Sequence, residues 1–129
     1  MRKILLCAAL GFLAMGCSDN KTIDYAALAA KEYYDSLMAG NYGYYVDGFA
    51  RQGSLPEDYR EQLLVNAKQY VYAIREQRHG VNEVRIVGWS KADSLSKTTN
   101  VFLMLCFGDS INEEVVVRMQ EKDGRWMMR

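Results

Sequence analysis

The sequence is poor in the residues from which most catalytic and metal centres are built. Among 129 residues it has one His, His79, and three Cys, at positions 7, 17 and 106. No His or Cys neighbours His79, so neither a zinc site nor a Cys–His nucleophile pair can be assembled from a local motif. Its place just before Gly80 suits a cation at a helix C-terminus. Charge of one sign is also missing: 16 basic residues balance 16 acidic ones with no Lys/Arg cluster, which removes the electrostatic footprint of a nucleic-acid partner. The glycines of "GNYGYYVDG" follow a helical stretch instead of a strand and lack a Lys-Ser or Lys-Thr pair, which excludes a phosphate-cradling loop. No metal or cofactor is expected. With one Pro, half its residues apolar and a quarter charged, the chain has the composition of one small globular domain.

A long hydrophobic run is absent too. The uncharged stretch from Ile4 to Gly16 has 13 residues, whereas a helix crossing a bilayer needs about 20. Preceded by Arg2 and Lys3 and followed by polar Ser18, Asp19 and Asn20, it reads as the h-region of a processing signal. The junction at Gly16 and Cys17 resembles a bacterial lipoprotein signal, in which the leader is cut before the Cys and the Cys is acylated. Ala14 and Met15 depart from the residues favoured there, with Leu13 one place early. The resemblance implies a signal peptide over 1–16, a lipidated Cys17 with a short tether over 17–22, and one domain over 23–129. It places the protein in the cell envelope, anchored to the outer membrane through palmitate-like chains, on the periplasmic side in preference to the cell surface. Each buried methylene contributes about 0.8 kcal/mol, so two or three chains hold a protein almost permanently. Cys7 leaves with the leader. Cys106, inside "VFLMLCF", reads as a buried thiol packed like a small hydrophobe.

Within the domain, residues 23–38 gather Ile23, Ala26, Ala27, Ala30, Tyr33, Tyr34 and Leu37 on one helical face, with Thr22 as the expected N-cap and Gly40 with Asn41 as the stop. Tyr42 to Asp47 predicts a short helix. Ser54 and Glu57, with Pro56 between them, predict the start of a long helix over 56–78 whose apolar face is Leu63, Leu64, Ala67, Tyr70, Val71 and Ile74. "NEVRIVGW", "NVFLMLCF" and "EEVVVRMQE" then read as strands, and Asp123-Gly124 predicts a two-residue hairpin turn that sets Lys122 against Arg125 and Met119 against Met128. The expected class is α+β, N-terminal helices packed on a curved antiparallel sheet of three to four strands.

This element order, the Tyr-rich first helix and the Asp-Gly-Arg-Trp ending resemble the nuclear-transport-factor-2-like cone domains of the cystatin-like fold, as carried by small bacterial lipoproteins. The Gln-x-Val-x-Gly loop of cystatin inhibitors does not occur. Domains of this shape serve as enzymes, ligand pockets and interaction modules, so the fold chooses no activity. Enzymes of the fold that move protons place an Asp with Tyr or His in an apolar cone. Tyr33, Tyr34, Tyr44, Tyr45, Asp47, Tyr70 and Glu121 are the residues here that could line such a cavity, and tyrosines filling an ordinary core are the competing reading. Strand 101–107 is apolar on both faces. If Val101, Leu103, Leu105 and Phe107 meet the helices, then Phe102, Met104 and Cys106 point outward as a candidate interface for a second copy or an envelope protein. The expected role is a tethered, non-catalytic binding or interaction module. The alternative is a small isomerase or lyase, which requires a concave pocket with a buried carboxylate beside a Tyr or His.

Overall fold

Period-two patterning in the second half of the chain produces four antiparallel strands in the order in which they occur: β1 (Val81–Trp89), β2 (Thr98–Phe107), β3 (Asn112–Lys122) and β4 (Arg125–Met128). Among the described residues three helices precede them, α1 (Tyr25–Met38), α2 (Tyr42–Val46) and α3 (Glu57–Arg78). The computed structural model describes residues 24–51, 53–91, 93 and 95–129, so the expected signal peptide, Cys17, the tether, Thr22 and Ile23 lie outside the described residues. The helices pack on a curled four-stranded half-barrel sheet, an α+β architecture.

Asp123 and Gly124 both take positive φ, 54° and 79°, the geometry that matches a two-residue hairpin to the twist of its strands. The resulting register pairs Lys122 with Arg125, Glu121 with Trp126 and Met119 with Met128, as the sequence predicts. β1 slips against β2 between Val81 and Glu83 and between Ile86 and Gly88. Such irregularities bend a strand and raise its local twist.

The concave face of the sheet is sealed by α1. Val101, Leu103 and Leu105 of β2, Met119 of β3 and Ala30 of α1 are all fully buried, and Ala26 and Ala27 nearly so. Three alanines on one face let the helix axis approach the strands closely, and dense packing follows. Asp24 caps α1, its Oδ1 accepting from the Ala27 amide at 2.9 Å. Ser54 does not cap α3. The N-cap position is Pro56, with extended ψ of 143° and no side-chain cap, which leaves Ser54 two residues upstream of the cap position. Glu57 and Asp58 in the first turn complement the helix dipole instead.

α3 is fastened at its two ends. At its N-terminus Arg60 makes a bidentate pair with Asp47, the C-cap of α2, through Nε–Oδ1 at 3.0 Å and Nη2–Oδ2 at 2.9 Å. At its C-terminus His79 adopts left-handed φ of 62°, and the chain turns under the β2–β3 connection. There the Gly108 amide donates to the Gly80 carbonyl at 2.8 Å and the Asp109 amide to that of Arg78 at 3.0 Å. A methyl group at Gly108 would collide with the His79 carbonyl oxygen, so that close approach requires glycine. The Arg78 guanidinium lies 3.9 Å over the Phe107 ring and bonds Asp109 at 2.9 Å. Between these fastenings only Ala67, Val71 and Ile74 of α3 are buried.

Candidate functional site

The middle of α3 leaves a groove against α1, α2 and the segment that follows α2. Its volume is about 650 Å³, within the range of small-molecule sites. One wall is a stripe on α3 at helical spacing: Tyr59, Leu63, Asn66 and Tyr70, with Ala67 at the floor. The other wall is Tyr34 and Leu37 of α1, Tyr45 and Val46 of α2, and Phe49, Ala50 and Arg51. Among the described residues no carboxylate, imidazole or thiol belongs to this lining.

Three of the seven expected pocket residues meet here. The rings of Tyr34 and Tyr45 pack edge to face at 5.7 Å, and Tyr45 meets Phe49 in the same way at 5.3 Å. Burial, then the charge of neighbouring Tyr45 and a hydrogen bond to its hydroxyl, push the Tyr34 hydroxyl far above its ordinary value. Burial also raises Tyr45 and Tyr70. All three hydroxyls are therefore neutral at physiological pH, and the packed rings of Tyr34 and Tyr45 form part of the wall.

The other four lie elsewhere. Tyr33 is buried between α1 and the sheet, its hydroxyl donating to the Trp126 carbonyl at 2.9 Å. Tyr44 is stacked on Tyr33 at 5.3 Å on the outer side of α2, and burial followed by the Glu32 charge raises its hydroxyl. Asp47 is exposed and held by Arg60, whose hydrogen bond lowers its carboxyl below the usual range. Glu121 is half-buried opposite Trp126 in the β3–β4 ladder. Neither carboxylate lines the groove, which is framed by helices and receives no strand residue.

Arg51 and Asn66 escaped the sequence reading, whereas Leu63 was visible as part of the apolar face. Arg51 stands in a Gly-rich connection with no periodicity. Its Nη1 donates to the carbonyls of Val46 at 3.0 Å and Phe49 at 3.3 Å, which locks the turn after α2, and its carbonyl accepts from the Lys122 ammonium. The same side chain borders a second, shallower cleft of about 310 Å³ with Asp47, Lys122, Asp123 and Arg125.

On the outer face of the sheet, Phe102 pairs with Val116 and Met104 with Glu114 and Arg85. Phe102 and Met104 are half-buried and Val116 is 60% exposed. Cys106 is only 8% exposed, because Arg85 reaches over it with Nη2 3.4 Å from Sγ. Among the described residues no group of three His, Cys, Asp or Glu is placed to hold a metal ion, and no helix is long and apolar enough to cross a membrane.

No protein-family model matches the chain, and no curated protein matches it. Among solved structures, it is similar to a protein from Campylobacter jejuni described as an NTF2-like transpeptidase, with a TM-score of 0.63 and 12% identity over 78% of this chain and 93% of that one. The fold is NTF2-like. A SEC-C motif-containing protein from Rhodopseudomonas palustris also aligns, with a TM-score of 0.50 and 17% identity over 83% of this chain and 78% of that one. At such identities the NTF2-like likeness is one of backbone, and the chemistry of this chain has to be argued from its own side chains.

Proposed function

We propose that the protein is a binding domain of the bacterial cell envelope, tethered through acyl chains on Cys17 to the periplasmic side of the outer membrane and acting without turnover. The observation that carries the binding half is the groove: an apolar, ring-lined concavity of about 650 Å³ with four tyrosines, one amide and one guanidinium. A site with few polar groups in an apolar wall fixes the orientation of a ligand. Proton transfer in such a cavity needs a base with a tuned pKa within hydrogen-bond reach, and Asp47 and Glu121 stand outside this one. The tether half is supported by the charged start, the 13-residue apolar run and the Gly16-Cys17 junction.

The two halves are tested separately. Metabolic labelling with a radioactive fatty acid is expected to mark the wild type and leave Cys17→Ala unmarked; an unlabelled wild type overturns the tether. For binding, wild type and Ala67→Trp, which fills the groove floor, are purified from host membranes and the co-purifying small molecules compared by mass spectrometry. A compound enriched with the wild type and lost from the variant is expected, and identical extracts overturn the binding reading.

A further inference from the structure

We propose that the groove takes a long-chain monocarboxylate, its anionic head at Arg51 and its apolar tail laid along α3 toward Tyr70. The proposal deepens the binding reading above and rests on it. Its first support is shape. Tyr59, Leu63, Asn66 and Tyr70 line one wall at successive turns of α3, and at 1.5 Å per residue the stripe from 59 to 70 runs about 16 Å. The opposing wall brings Tyr34, Leu37, Tyr45 and Phe49. A trough that follows one helix face over about three turns can take an extended chain lengthwise.

The second support is charge. α3 is held at its N-terminal end by the pair between Arg60 and Asp47, and Asp47 also feels the charge of Arg51. Arg60 holds that carboxylate, and Arg51 stands near it without an ion pair. Around them stand Lys122, Arg125 and Asp123, and Arg60 also feels Glu57 and Glu61, so it is Arg51, which makes no ion pair among the described residues, whose charge is left for a ligand. Within hydrogen-bond reach, Arg51 spends Nη1 on two carbonyls, and its Nε and Nη2 make no hydrogen bond to a described residue. A guanidinium offers five N–H donors in a planar fork suited to carboxylate. With its turn already locked by backbone contacts, Arg51 is pre-organised to receive one. Among the described residues the lining toward the far end is Asn66, Ala67 and Tyr70, uncharged side chains, which suits the end of a tail.

The test uses the full chain in its own membrane. A long-chain fatty acid and the fatty alcohol of equal length, each carrying a photoactivatable diazirine on the tail, are crosslinked to the protein and the attachment sites mapped by mass spectrometry. The acid is expected to label α3 between Tyr59 and Tyr70 at least tenfold more efficiently than the alcohol, the scale of one hydrogen bond to a charged group. Arg51→Gln is expected to erase that preference and Arg51→Lys to retain it. Equal labelling of the groove by acid and alcohol in the wild type, a comparison that needs no variant to fold, overturns the ligand class and leaves a groove that binds apolar chains. Absence of any label from the groove overturns both the ligand class and the binding site.

Discussion

The two layers of helix differ in how they meet the rest of the molecule. α1 lies flat on the sheet through alanines, and the strand residues beneath it are fully buried. α3 is longer, yet it buries only Ala67, Val71 and Ile74, carries Tyr59 and Tyr72 more than half exposed, and is fastened by ion pairs and backbone hydrogen bonds at its ends. The first seam is closed by volume, the second bridged across a gap. Stability is thus concentrated between α1 and the sheet, and the capacity to accept a ligand is concentrated under α3.

The most direct way to break this comparison is to truncate one leucine in each seam. Leu103→Ala removes a fully buried side chain from the centre of β2 and is expected to cost about 3 kcal/mol, transfer and cavity terms together. Leu63→Ala removes a half-buried side chain already bordering open space, where no new sealed cavity forms, and is expected to cost under about 1 kcal/mol. Urea unfolding measures both. Equal losses would mean that α3 contributes as much to the core as α1 does.

The same contrast decides what could be read from the sequence. The sheet was legible because period-two patterning, one Asp-Gly turn and alternating burial fix register without reference to distant parts of the chain. Val101, Leu103, Leu105 and Phe107 face the helices as their alternation requires. The helices were legible as elements and less so as ends: Asp24 caps α1 where the sequence suggested Thr22, and the Ser54–Glu57 spacing of a capping box did not form one. The site was the least legible. Whether Tyr33 or Tyr34 enters a cavity depends on a rotation of α1 that adjacent residues do not encode, and Arg51 acts through loop geometry. One signal was present. α3 carries two parallel stripes, a small buried one and an aromatic one beside it, and a helix with more apolar face than its contacts can cover borders either a groove or a partner.

A smaller effect sharpens the contrast at high pH. Tyr34, Tyr45 and Tyr70 all titrate above the ordinary value of 10.0, chiefly because burial disfavours the phenolate. Below about pH 10 they are neutral in both folded and unfolded chains and their contribution is intact. Above it the unfolded chain ionises first, so stability falls as pH rises. Tyr34→Phe keeps the ring and is expected to change stability little at neutral pH, and to fall less steeply than the wild type above about pH 10. Circular dichroism melts at a series of pH values measure the slope. An unchanged slope would place the alkaline weakness outside the α3 seam.

The smallest expected effect concerns the fastenings themselves. Asp47 and Asp109 both titrate below the usual carboxylate value of 3.8, each because its arginine, Arg60 or Arg78, hydrogen-bonds the charged form. A lowered folded value means that the contribution is present above the unfolded pKa and is lost as pH falls through the folded one. Acid should therefore loosen α3 at both ends while the apolar contact of α1 with the sheet, which holds no titrating pair, persists. The ends are not equivalent. Arg60 and Asp47 are substantially exposed and depend on one pair, whereas Arg78 also stacks on Phe107, lies near Glu113 at 3.7 Å and is backed by three backbone hydrogen bonds around Gly80 and Asp109. Arg60→Ala is expected to leave the melting temperature almost unchanged, as exposed pairs do, and to raise amide hydrogen exchange over the first turns of α3 only. Arg78→Ala should raise it over the last turns and lower the melting temperature measurably, because a ring contact is lost with the charge. If Arg60→Ala instead released exchange along all of α3, the helix would open as one unit, and the groove beneath it would be a hinge instead of a fixed trough.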